Sequence, residues 1–296
     1  MEQILKDKQL NSAYHNKGFV KFPLFDAMQI SEIKEFYNYI REKHNAKKNN
    51  AFHTTLNTSD SNIINKVNDF LIPYYKKEIN KYLINYNLTI SVFLTKDRGK
   101  NSSVTIHQDG SFVDETKHTA FGLWVALDNT NVLNGCMQFI PGSHKFYPSL
   151  RISPDLPPYF YSFKDAAVDY LVDVPSKAGE CVMFNQAIIH ASRKNFSNKQ
   201  RVACITGGYS KNAEFTHHFL PKGNPLSKIE KYKISVKSML EMKKDERPKH
   251  AEFLGYIDYK APDVSFEVFK DKCELNVGTL YKYRNRIINK LIGKSS

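Results

Sequence analysis

The rhythm of hydrophobic and polar positions changes twice along this chain. Over roughly the first 87 residues the apolar positions mostly keep helical spacing. Gly18-Phe19-Val20-Lys21-Phe22 is an exception: it alternates and stops at Pro23, which predicts a short strand. Asp26 and Gln29 have the spacing of a capping box, and Ile30, Ile33, Tyr37 and Ile40 follow as one stripe, so a helix starts there. The polar stretch 45–61 reads as a loop. A second helix is expected over about 61–86, with Ile63, Val67, Phe70, Leu71 and Tyr74 on one face. Both stripes read as packing faces, the ordinary role of such a stripe.

From residue 88 to 210 the pattern turns to short strands, predicted at 88–96, 103–109, 120–128, 135–141, 170–175, 180–185, 187–191 and 200–210. Turn residues separate them, among them Asp97-Arg98-Gly99-Lys100 and Pro141-Gly142-Ser143. This spacing predicts a mainly β fold with flanking helices, a sandwich or jelly roll. The interval 143–169, rich in Pro and Tyr, is long enough to suggest a lid or binding loop. Beyond about residue 221 the chain is Lys-rich and reads as largely helical, ending in a helix with Leu280, Tyr283, Ile287 and Leu291 in register. No repeat or linker composition divides the chain. The expected organisation is one domain over 1–296: an N-terminal strand and helices (1–87), a β core (88–210) and a helical C-terminal decoration (211–296).

Composition narrows this only a little. Hydrophobic residues make up 41% and aromatics 13%, enough to close a sizeable core. No run approaches the roughly 20 apolar residues of a membrane span, and Met1 to Lys21 lacks the apolar centre of a secretory signal. A cytoplasmic, non-membrane protein is the expectation. Cys136, Cys181, Cys204 and Cys273 form no C-x-x-C and read as buried free thiols. The formal charge is 43 − 30 = +13. It fits an acidic partner or an anionic or carrier-linked substrate, but the Lys residues are dispersed, and a compositional origin is the simpler reading.

Candidate chemistry starts at His107-Gln108-Asp109. Residues i and i+2 of a strand share a face, so an imidazole and a carboxylate can converge there. With 10 His and 30 acidic residues in 296, about one H-x-[DE] arises by chance, and His250-Ala251-Glu252, in a stretch of helical character, reads as such an accident. The first pair has company. His190 closes the apolar run Ala187-Ile188-Ile189, and two His with one carboxylate are the facial triad of non-haem Fe(II) oxygenases. Eleven residues on, Arg201 opens the next predicted strand, where its guanidinium can hold a carboxylate in a bidentate fork; Ser192 can add a hydroxyl.

In order, these pieces resemble the phytanoyl-CoA dioxygenase family. The resemblance rests on His107-Gln108-Asp109, on Asn134-Gly135-Cys136-Met137-Gln138-Phe139-Ile140-Pro141-Gly142-Ser143-His144-Lys145, on Gly179 to Phe184, and on His190-Ala191-Ser192 with Arg201. It spans about residues 15–210. It implies a double-stranded β-helix (jelly roll, cupin-like) core and an Fe(II)/2-oxoglutarate-dependent dioxygenase that uses O2, hydroxylates a small metabolite, and releases succinate and CO2. It further implies His107, Asp109 and His190 as iron ligands, and Arg201 with Ser192 at the distal carboxylate of 2-oxoglutarate. Trp124 would line the cofactor pocket, and Thr105 and Lys96 would be polar contacts at the C1 end. Arg193 is the alternative arginine. His144 is implied to be structural.

Two other readings compete. A non-catalytic jelly-roll binding protein would have no need of the full His/Asp/His and Arg set. An oxygenase acting on nucleic acid would call for a concentrated basic stripe with interleaved aromatics, which dispersed Lys does not supply.

Overall fold

A computed structural model describes residues 2–43, 51–58, 60–147, 149–152, 156, 158–243 and 246–277. The chain opens with helix α1 (Lys8–Lys17), strand β1 (Phe19–Pro23), helix α2 (Ala27–Lys43), strand β2 (Phe52–Thr54) and helix α3 (Ser61–Ile79). α1 escapes the apolar pattern because its only buried residue is Tyr14; its ends are set by caps instead. The Asp7 carboxylate accepts from Leu10 N at 2.8 Å, and Gly18, at φ 84°, stops the helix in the left-handed region that suits glycine. α3 ends seven residues earlier than the expected 86, at Ile79, because the chain then bridges back to the N-terminus through Leu5 and Leu83. Part of the expected loop 45–61 is β2.

The next strands are β3 (Tyr86–Lys96), β4 (Val104–His107), β5 (Ala120–Ala126), β6 (Met137–Phe139), β7 (Val172–Val174), β8 (Glu180–Asn185), β9 (His190–Ser192) and β10 (Arg201–Ser210), with helix α4 (Lys164–Ala167) before β7. They build a six-stranded sheet ordered β1-β8-β5-β10-β3-β2 and a four-stranded sheet ordered β4-β9-β6-β7. Every pairing is antiparallel. Alternation decides which face each side chain serves. Trp124, Ala126, Val182, Phe184 and Ala203 of the large sheet pack on Met137, Phe139 and Val174 of the small one, forming the interior of a jelly roll. Their neighbours Leu123, Val125, Cys181, Met183 and Cys204 face outward, onto Tyr14, Ile33, Val67, Leu71 and Tyr75 of the three helices. A one-residue register slip would exchange the two sets, which pins the pairing. All four cysteines are buried and free.

The C-terminal third departs from expectation. Strands β11 (Thr216–Phe219), β12 (Ile229–Lys233) and β13 (Glu252–Ile257) form a third, antiparallel sheet, with helix α5 (Val236–Leu240) between the last two. The lysines of Ile229-Glu230-Lys231-Tyr232-Lys233 hid a strand whose buried Ile229, Glu230 and Tyr232 alternate imperfectly. His250-Ala251-Glu252 is likewise not helical: His250 has φ 53° and Glu252 begins β13. Among the described residues only the short α5 and α6 (Phe266–Val277) bear out the helical reading; the helix expected around Leu280 to Leu291 lies outside the described residues. α6 brings Phe269 and Cys273 against Phe146 and Phe160 of the long interval, against Tyr170 just after it, and against Ile189 and Ala191 at the start of β9. The long interval thus packs behind the small sheet. No described helix is long and apolar enough to cross a membrane.

Candidate metal centre

His107 ends β4 and stands directly across from His190, the first residue of β9, with ring centroids 4.1 Å apart. A bulge makes this pairing. Val104 pairs with Ser192, so a regular antiparallel ladder would put Ile106 opposite His190; the extra residue puts His107 there. Asp109 lies two residues past the end of β4, not on a strand extending to 109. Its carboxylate is brought in by backbone bonds instead: Asp109 N donates to Gln186 O at 3.1 Å, and the Arg151 guanidinium donates through Nε to Asp109 O at 2.6 Å.

The result is a compact donor set. Asp109 Oδ1 lies 3.7 Å from His107 Nε2 and 3.8 Å from His190 Nε2, and the three ligand atoms all fall within 4.8 Å of one another. Each ring is oriented by a carbonyl: His107 Nδ1 sits 2.8 Å from Thr105 O, and His190 Nδ1 sits 3.0 Å from Ile188 O. Donation to those carbonyls leaves both Nε2 lone pairs facing the carboxylate, the tautomer a metal ligand needs. Burial, reinforced by the His107 ring, pushes the His190 pKa down to about 4, which keeps it neutral. His190 is enclosed by Phe139 and Phe184, whereas about a third of the His107 and Asp109 side chains is exposed, so the set opens on their side.

Arg201, at the start of β10, is buried between the sheets. Its Cζ is 5.6 Å from the Trp124 ring; among the described residues its Nη1 and Nη2 reach only the carbonyls of Leu94 and Gly135, at 3.5 and 3.4 Å, and its Nε has no partner. Burial lowers its pKa to about 10. Ser192 is buried on β9, on the same face as His190. Thr105 is exposed, and it is its carbonyl, not its hydroxyl, that touches the site. Lys96 pairs across the ladder with Arg201. Arg193 is committed elsewhere, forked onto Asp173 at 2.5 and 2.9 Å. His144 bonds the carbonyl of His15, away from the triad.

Sequence reading missed Arg151. Its guanidinium also bonds Ser149 O and the Glu115 carboxylate, and its backbone exchanges bonds with Ser111. Nothing in the local pattern announces it, because Asp109, Ser111 and Glu115, which fix its place, lie some 36 to 42 residues earlier in the chain.

Fold and donor set together define a class: jelly-roll proteins with two histidines and one carboxylate gathered in one compact set. Within that class the chain belongs to the phytanoyl-CoA dioxygenase family, whose family model matches residues 14–203. A phytanoyl-CoA dioxygenase of Arabidopsis thaliana is 36% identical over 120 residues, 38% of this chain and 41% of that one. The phytanoyl-CoA dioxygenase domain-containing protein 1 of Danio rerio is 32% identical over 126 residues, 40% and 43% of the two chains. The match thus spans less than half the length of these curated relatives. Among solved structures, the non-heme alpha-ketoglutarate-dependent carbocyclase SnoK of nogalamycin biosynthesis superposes with a TM-score of 0.51 at 19% identity, covering 71% of this chain and 86% of that one. EvdO2 of Micromonospora carbonacea var. aurantiaca, complexed with 2-oxoglutarate, gives 0.50 at 14% identity, with 71% and 94% covered. At these identities the likeness establishes the jelly-roll fold.

Proposed function

We propose that this chain is an Fe(II)- and 2-oxoglutarate-dependent dioxygenase that hydroxylates a C–H bond of a small metabolite. The observation that carries the reading is Arg201: a buried guanidinium with an orphaned Nε, no carboxylate partner and long contacts to two carbonyls, beside the interior that His190 faces. A buried cation in that state needs an anion, and the planar fork suits a carboxylate. The donor set fits Fe(II), because two neutral imidazoles and one carboxylate leave positions free for further ligands.

When bound, Fe(II) with 2-oxoglutarate supplies O2 activation, with release of succinate and CO2. The chain contributes geometry and exclusion of water. His107, His190 and Asp109 would hold the metal, and Arg201 with Ser192 would fix the distal carboxylate against the Trp124 ring. Phe139 and Phe184 shield the His190 side, leaving approach from the exposed flank of His107 and Asp109. Substrate C–H bonds would therefore meet the centre from that flank.

Anaerobic titration with Fe(II) and then 2-oxoglutarate tests the reading. A weak visible charge-transfer band is expected, and its loss in His107→Ala. Iron binding without the band would reject the cosubstrate, and the non-catalytic binding protein would then be the better reading.

A further inference from the structure

Arg201 has a companion that the proposed function leaves unexplained. Lys96, the last residue of β3, pairs directly with Arg201 across the ladder and is fully buried. Its Nζ donates to Ser192 O at 3.2 Å and to Arg193 O at 2.5 Å, so it straps the large sheet to the end of β9. Its stem runs so close to Gly135 that a Cβ there would lie 2.8 Å from Lys96 Cδ. Two cationic side chains thus stand opposite each other in the interior, with backbone carbonyls as their only hydrogen-bond acceptors among the described residues. Like charges across a ladder oppose folding, and a buried ammonium is costlier still.

Among the described residues, none of the surrounding groups compensates them. The Cys136 thiol, facing Lys96 from the turn before β6, is held up at about 12 by burial and the nearby Asp173, and so stays uncharged. Asp173 is itself forked by Arg193. Asp128, the acid whose charge bears on Arg201, is taken up by Lys34 at 2.6 Å and by Val202 N at 2.9 Å. Asp97 follows Lys96 but faces the other side of the sheet, where Gln200 and His53 bond it. From β2 comes only the Phe52 ring, 5.8 Å from Nζ. Burial first, and Arg201 second, push the Lys96 pKa down to about 6, so the amine is mostly neutral near pH 7.5.

We propose that Lys96 is a second member of the cosubstrate's distal-carboxylate pocket and takes up a proton from solvent when the dicarboxylate settles beside Arg201. This rests on the proposed use of 2-oxoglutarate. The incoming carboxylate supplies the missing counter-charge, an N–H bond forms on Nζ at the expense of a buffer acid, and no covalent bond breaks. Because the protonated form binds better, affinity falls as pH rises above the free amine's pKa, by up to about tenfold per pH unit. At pH 7.5 uptake approaches about one proton per 2-oxoglutarate.

Calorimetric titration of the Fe(II)-loaded protein with 2-oxoglutarate, anaerobically at pH 7.5 in phosphate, Hepes and Tris, counts this proton from the dependence of heat on buffer ionisation. The expected result is uptake near one for the unaltered protein and near zero for Lys96→Met, with Lys96→Arg, permanently charged, also taking up none. Binding without uptake in the unaltered protein, a measurement that needs no variant, overturns the Lys96 inference while leaving the cosubstrate intact. Uptake that persists in Lys96→Met overturns it too, by assigning the proton to another group. If 2-oxoglutarate gives neither heat nor the visible band, the proposed function fails and takes this inference with it.

Discussion

Asp109 lies beyond the end of β4 and owes its position to two backbone bonds rather than to a ladder, yet its side chain is about one-third exposed. Asp109→Ala should therefore leave the fold intact, as read by circular dichroism, while metal binding weakens and turnover falls at least about a hundredfold. Turnover at the normal rate would remove Asp109 from the centre. On the role proposed for Arg201, Arg201→Ala removes a charge-assisted contact worth about 1.5–3 kcal/mol, so the 2-oxoglutarate KM should rise about 10- to 150-fold in succinate-release assays. An unchanged KM would mean that another group holds the carboxylate; Arg193 is a poor substitute because Asp173 already occupies its fork. Arg151→Gln strips the bond to Asp109 O and leaves the Glu115 carboxylate without its partner. The expected cost is about 1–3 kcal/mol of stability, together with weaker metal binding. Thermal melts with and without metal separate the two: a lower Tm with unchanged metal affinity would reduce Arg151 to a packing role.

At the scale of elements, the site depends on irregularities more than on regular strands. The bulge in β4 exchanges Ile106 for His107 opposite His190, and no alternation rule anticipates where an extra residue enters a ladder. Most strands of the core were legible because their inward and outward residues alternate between two apolar environments; β3, β5, β8 and β10 fall within two or three residues of where the pattern puts them. α1 was not legible, since caps rather than an apolar stripe define it, and β12 was masked by its lysines. α6 packs behind the four-stranded sheet through Phe269, which is fully buried among Phe146, Phe163 and Tyr170. Phe269→Ala should cost about 3–5 kcal/mol by opening a cavity there. Its signature is a lower melting temperature with the His107, Asp109 and His190 metal affinity retained, because the inner face of β9 is shielded separately by Phe139 and Phe184.

For the whole molecule, the C-terminal third decides how the barrel is closed from outside. Residues past 210 lie outside the family match, yet they cover Ile189 and Ala191 and pack Phe215 with Phe112 and Tyr209. A chain cut after Ser210 should therefore fail to give a soluble, cooperatively melting core, whereas the full chain should melt in one transition. A truncated form with an unchanged Tm would make the C-terminal part a separate unit. The residue types of the centre, the order of its motifs and the two-faced strands were determined by the sequence alone, because alternation and ligand chemistry are local properties. Tertiary structure alone decided the convergence of His107 with Asp109 by way of a bulge and Arg151, the turn of a Lys-rich tail into a sheet, and the meeting of Lys96 with Arg201. Each of these depends on strand register or on partners many tens of residues away, and register is chosen by what the assembled sheets can bury together.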